Sequence, residues 1–118
     1  MNKKISDLIE QLSESSSLSS LQTYNREVCS LNGWDKSSYQ ETFLLWMEEV
    51  GELAKAIRYR EKIYVEEGND KKFDLEGEFA DVLSYLLQLS NVFEIDLQKA
   101  FIEKEKINLS RSWSSKKE

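Results

Sequence analysis

The chain reads as an all-α protein: a single-domain antiparallel bundle of about four to five helices. Three observations carry that expectation. Proline is absent and glycine occurs only four times in 118 residues, so helix breakers are scarce. Leu, Glu, Lys and Gln, which lose little rotamer freedom in a helix, are abundant. Apolar residues recur at three- and four-residue spacing, the period of one helix face. With 40% hydrophobic residues and a length suited to one core, residues 1–118 are expected to form one domain without disulfides or a structural metal.

Each element has its own signal. Residues 5–12 form a short helical pattern. The serine-rich stretch 13–20 predicts a break or a helix start, because serine hydroxyls compete for backbone hydrogen bonds. A second helix is expected over 18–31, stopped by Asn32-Gly33. Ser38-Tyr39-Gln40-Glu41 matches a capping box, with Ser38 at the N-cap and Glu41 three residues on. A long helix should follow to about residue 63, with Phe43, Leu44, Met47, Val50, Ala54 and Ile57 as its core stripe. Residues 66–72 are a polar connection containing Gly68 and Asn69. A fourth helix is expected over about 73–93, with Leu75, Phe79, Val82, Leu83, Leu86 and Leu89 inward. Glu94-Ile95-Asp96 makes a turn, and Asp96 can cap a fifth helix to about residue 109. The tail 112–118 is expected to fray. Connections this short predict antiparallel neighbours.

Composition removes whole classes of function. Lys plus Arg is 16 and Asp plus Glu is 22, a formal charge of −6. Polymeric nucleic acid rewards basic surface and is a poor partner. A small phosphorylated ligand remains open if cations stand between acids and phosphates, although surplus acid also serves simply to keep a protein in solution. Histidine is absent, which excludes Ser-His-Asp and Cys-His nucleophiles and His-ligated zinc or iron. The single Cys29 forms no intramolecular disulfide and no closed zinc site, and fits a reducing compartment. Apolar residues near the N-terminus are scattered, so neither a secretory segment nor a membrane span is expected; the expected location is cytoplasmic, with no membrane partner. Any chemistry must rest on carboxylates.

Two segments concentrate them: Glu48-Glu49-Val50-Gly51-Glu52 and Glu78-Phe79-Ala80-Asp81. Each places carboxylates three residues apart on a helix, ~5–6 Å between Cβ atoms, where like charges repel unless a cation compensates. Glu49 and Glu52 lie near Leu45, Leu53 and Ala56; Glu78 and Asp81 lie near Val82, Tyr85 and Leu89. Both pairs therefore border apolar stripes, where a carboxylate is costly unless paired or metal-bound. Two such helices face to face would gather four carboxylates into an oxygen-only cage suited to Mg²⁺ or Mn²⁺. Gly51 would permit close helix approach. The same spacing also suits a solvated acidic face, and both readings stand at this point.

The run from Leu45 to Ala54 (LWMEEVGELA) and the run from Glu78 to Leu87 (EFADVLSYLL) resemble the MazG-type all-α nucleotide pyrophosphohydrolases, over roughly residues 33–113. That family's pattern is Glu-x-x-Glu, a variable spacer, then Glu-x-x-Asp. The resemblance implies that Glu49, Glu52, Glu78 and Asp81 bind Mg²⁺ and that Glu48 orients or deprotonates the attacking water. It implies hydrolysis of a nucleoside triphosphate between the α- and β-phosphates, house-cleaning of nucleotide pools, and a dimer or tetramer. Metal ions would neutralise transition-state charge and acidify bound water, two ions about 4 Å apart holding nucleophile and bridging oxygen in line. Lys104, Asn108 and Arg111 resemble the family's Lys…Asn…Arg ending and share one helical face suited to phosphate. They also fit an ordinary basic helix end. The sequence departs from the family where an aromatic follows the arginine: Trp113 lies two residues on. Trp34 can stack on a nucleobase or serve packing. Trp46 and Tyr85 are expected mainly to pack, Tyr85 beside the metal site.

Two further readings compete. One is a phosphoribosyl-ATP pyrophosphohydrolase-like enzyme, sharing the bond type. The other is a non-catalytic helical interaction module, in which the acids are surface charge. A calcium loop over residues 66–78 fails, since the alternating oxygen ligands are missing. A bundle this small, with so many apolar residues on long helices, is expected to pair with further copies of itself.

Overall fold

The computed structural model describes residues 3–69 and 71–111. The expected fraying from 112 onward and the position of Trp113 lie outside the described residues. Among the described residues there are five α-helices and no strand: α1 (Lys3–Glu10), α2 (Leu18–Asn32), α3 (Tyr39–Arg60), α4 (Leu75–Val92) and α5 (Leu97–Ser110). A 3₁₀ turn, Trp34–Lys36, joins α2 to α3.

The ends are set by local chemistry. α1 stops two residues short of the expected 12, because Gln11 and Leu12 donate to the carbonyls three residues back and tighten the last turn. The Ser17 hydroxyl accepts from the Ser20 N–H to open α2. Gly33, at φ +75°, closes it by donating to the Cys29 and Ser30 carbonyls. The Ser38–Glu41 box is complete: Glu41 N–H donates to Ser38 Oγ at 3.2 Å, and Ser38 N–H to Glu41 Oε1 at 2.9 Å. Asp96 caps α5 by accepting from the Lys99 N–H. At the start of α4, Asp74 accepts from the Gly77 N–H at 3.0 Å. A Cβ at residue 77 would run into the Asp74 carboxylate as it is placed, so a larger residue there would make that side chain shift.

α3 ends at Arg60 rather than near 63. Arg58 Nη1 donates to the Ile63 and Tyr64 carbonyls at 3.1 and 2.7 Å. Lys62 and Tyr64 are held at φ +55° and +49°, a left-handed conformation costing L-residues about 1–2 kcal/mol each. The two guanidinium bonds help offset that cost.

α3 and α4 form the principal contact; α2 crosses α4, and both α1 and α5 dock on α2. Trp46 Nε1 donates to the Val82 carbonyl at 3.2 Å and fixes the α3–α4 register. The α2–α4–α5 junction is polar. Buried Gln22 donates to Ser90 Oγ, Asn91 Oδ1 and the Ile95 carbonyl, and accepts from the Leu97 N–H. Every hydrogen-bonding atom of its side chain is used, which lets a glutamine replace apolar packing at little cost.

The expected core is corrected on one point. Among the described residues the buried apolar side chains are Cys29, Ala56 and Leu87. Leu44 is 67% exposed and Phe79 55%, and Phe43, Met47, Ile57 and Leu83 are also exposed. The reason is rotational. α3 turns Thr42, Trp46, Glu49, Leu53 and Ala56 inward, and the stripe through Phe43, Leu44 and Met47 lies around the helix from it. The radius of gyration is 18.0 Å, against about 13–14 Å for a compact domain of this length. Gly51 meets nothing within 4 Å of where its Cβ would be, so it does not mediate close approach to α4.

Candidate metal centre

The antiparallel pairing of α3 and α4 brings the two acidic motifs opposite each other. One carboxylate oxygen from each of Glu49, Glu78 and Asp81 lies within 4.8 Å of the others. Glu49 and Glu78 are half-buried and Asp81 is exposed. The Trp46–Val82 hydrogen bond lies one turn along each helix and holds the register that makes this possible.

Electrostatics mark Glu49 as the inner member. Its pKa is raised above the ordinary glutamate value, first by desolvation, then by the negative charges of Asp81, Glu78, Glu48 and Glu52. An all-oxygen donor set, two of its three members half-buried and all mutually repelling, is matched by a hard divalent cation, which would reverse the penalty.

Sequence reasoning placed four acids in this cage, and the donor atoms that gather are three. Glu52 is exposed and stands outside the close group, although its charge still acts on Glu49. Glu52 is one turn on from Glu49, and in the packed pair its carboxylate does not turn to the side where the other three meet. Glu48 is also exposed, and its charge acts on Glu49 as well.

Next to the trio, toward the start of α3, lies a cavity of about 540 Å³. Trp34, Leu45 and Tyr85 line it, together with Tyr24, Asn25 and Cys29. Trp34 is 54% exposed while lining this cavity. Tyr85 follows Asp81 by four residues on α4 and is half-buried. Asn25 was not singled out from sequence. Its Nδ2 donates to the Ser84 carbonyl at 3.3 Å, and its Oδ1 accepts from the Cys29 thiol at 3.6 Å. A signal was present: Gln22, Asn25 and Cys29 share the helical spacing of a buried stripe, two of them polar. Burial, with the charge of Asp35, raises the Cys29 pKa and keeps the thiol protonated.

Lys104, Asn108 and Arg111 belong to the α5 segment, which docks on α2 rather than along the α3–α4 groove. Asn108 Nδ2 donates to Glu105 Oε2 at 3.5 Å, and the Arg111 N–H donates to the Asn108 carbonyl. None of the three lines the Trp34 cavity.

No helix among the described residues is long and apolar enough to cross a membrane. No curated protein and no solved structure matches the chain. The model of the MazG nucleotide pyrophosphohydrolase domain family matches residues 37–108, more than half of the chain. The matched segment contains both acidic motifs, the whole of α3 and α4, and α5 as far as Asn108. Nucleotide pyrophosphohydrolase activity, in general terms, follows from that match. The chain belongs to the MazG nucleotide pyrophosphohydrolase domain family.

Proposed function

We propose that the chain hydrolyses a nucleoside or deoxynucleoside triphosphate between the α- and β-phosphates, releasing the monophosphate and pyrophosphate. The cofactor in this reading is Mg²⁺, with Mn²⁺ as a competent substitute, and the role is house-cleaning of the cytoplasmic nucleotide pool. The observation that carries it is the convergence of Glu49, Glu78 and Asp81 within 4.8 Å, in a chain whose family cleaves nucleotide pyrophosphate bonds.

Glu49, Glu78 and Asp81 hold the cation, and Glu52 joins them by a side-chain rotation from the next turn. The cation supplies charge neutralisation for the triphosphate and acidifies the attacking water. Glu48, flanking Glu49, orients that water and takes its proton. Trp34 offers its exposed indole face to the base. Lys104, Asn108 and Arg111 contact phosphate in the assembled oligomer. A homodimer or homotetramer is supported by the exposed apolar stripe of α3 and by the extended shape of the single chain.

The test is a pyrophosphate-release assay on the eight common ribo- and deoxyribonucleoside triphosphates plus dUTP, with Mg²⁺ and in metal-free buffer. Monophosphate and pyrophosphate should form only with metal. Diphosphate and orthophosphate as products, or turnover without metal, would refute the reading.

A further inference from the structure

α2 carries two adjoining stripes, and Tyr24 stands on the border between them. Tyr24, Asn25, Val28 and Cys29 line the cavity that Trp34 and Tyr85 also wall. Ser20, Thr23, Tyr24 and Glu27 line a second cavity of about 210 Å³. Leu8 of α1, and Leu12 just past it, line that one from the other side. The two sets are neighbouring strips of one helix surface. Tyr24 is the residue they share.

Tyr24 has room to move. Gln22 and Asn25, close to it on α2, are buried and hydrogen-bonded to α4. Tyr24 is half-buried, and no hydrogen bond or ring contact holds it among the described residues. An aromatic side chain on a helix has two common χ1 wells, about 120° apart. A ring on the border can therefore lean toward either strip. Close-packed interiors seldom leave an aromatic such space.

α1 bounds that space and is lightly held. Ile5, Leu8 and Leu12 are half-buried, no residue of α1 is fully buried, and its main contact is α2. The turn that follows closes on itself. Ser13 N–H donates to Ser16 Oγ at 3.0 Å, and Ser16 N–H to the Ser13 carbonyl at 3.1 Å. α1 can shift against α2 with those bonds intact and little apolar burial lost.

We infer that Tyr24 is a movable wall that sets the size of base the Trp34 cavity admits, and that α1 is the strap that limits its travel. This inference rests on the reading of that cavity as the base site. Leaning into the α1 groove, the ring widens the cavity toward a fused two-ring base. Kept out of the groove, it narrows the cavity toward a single-ring base. α1 and α2 lie outside the segment that matches the family, residues 37–108. Base selection is thereby set from outside the matched segment, away from the metal ligands.

Cys29 supplies the probe. It is the one cysteine of the chain, is 4% exposed and lines the cavity with Tyr24. Its rate of modification by a thiol reagent, at one fixed pH, reports opening of that wall. Leu8→Ser loosens the strap and should speed labelling at least about fivefold. Leu8→Phe fills the groove and should slow it. Asp74→Ala removes the cap of α4, a loss of overall stability that leaves α1 in place, and should keep the rate near wild type. Protection of Cys29 is then titrated with dCMP and dGMP in Mg²⁺, which needs no turnover. Leu8→Ser should shift the ratio of the two protection constants toward dGMP at least about fivefold. Leu8→Phe should shift it toward dCMP, and neither shift should appear in a Tyr24→Ala background. Unchanged labelling or an unshifted ratio in Leu8→Ser would overturn the inference. So would labelling raised equally by Asp74→Ala, a shift that persists without Tyr24, or a Cys29 that neither monophosphate protects. A wild type that shows these shifts yet turns over no triphosphate defeats the hydrolase reading and leaves the movable wall standing.

Discussion

The inward and outward faces of α3 reverse the usual distribution of polarity. The face against α4 carries Thr42, Trp46, Glu49 and Ala56, and a half-buried carboxylate lies at its centre. The outward face carries Phe43, Leu44 and Met47, all exposed. A helix pair whose seam is acidic and whose exterior is apolar is not assembled for maximal stability as a single chain. The seam accepts repulsion that a cation can relieve, and the exterior supplies the burial that a further copy of the chain would complete. In the proposed reading, function belongs to the inside of the pair and association to the outside.

The largest effect should come from altering the seam. Glu49→Gln, Glu78→Gln and Asp81→Asn should each lower kcat/KM at least about 100-fold in steady-state assays. The metal-free proteins should melt no lower than wild type, since each change removes a like charge from the trio. Glu52→Gln should cost less, about tenfold, because Glu52 reaches the cation only by a side-chain rotation. Damage equal to that of Glu78→Gln would mean that the rotation is complete in the metal-loaded protein.

The outer face comes next. Leu44→Glu or Met47→Glu should shift sedimentation from oligomer toward monomer. Each replaces an apolar side chain worth roughly 1.5–3 kcal/mol when buried, so association should weaken at least about tenfold. A wild type that sediments as a clean monomer at micromolar concentration would break the comparison outright.

Smaller effects belong to the caps that position the pair. Ser38→Ala should cost about 1 kcal/mol in denaturant unfolding, leaving the turnover of folded protein intact. Glu41 and Asp96 both titrate below their ordinary values. Glu41 accepts from the Ser38 N–H, and Asp96 chiefly from the Lys99 N–H. A lowered native pKa gives stability that is present above the unfolded value, about pH 4, and lost as pH falls through the native one. Unfolding measured across that acid window should show this loss, diminished in a Glu41→Gln variant.

Local features were legible before any coordinates. The Ser38–Glu41 box, the Asn32-Gly33 stop and the Asp96 cap are written within four residues of each other, and each formed as read. The two acidic motifs were legible too, because their spacing and their apolar borders lie on single helices. Rotation about those helices was not. Periodicity located the stripe through Phe43 and Met47 without revealing that α4 packs on a different one. The same limitation hid that Glu52 stands outside the close group of Glu49, Glu78 and Asp81.

The most direct test of the acidic seam as a catalytic metal centre is product analysis by ³¹P NMR. Wild type and Glu78→Gln would each be incubated with a turned-over triphosphate, with Mg²⁺ and after metal removal. The expected result is pyrophosphate and monophosphate from wild type with Mg²⁺ alone, and neither from Glu78→Gln. Equal pyrophosphate release from folded Glu78→Gln, or from metal-free wild type, would contradict it.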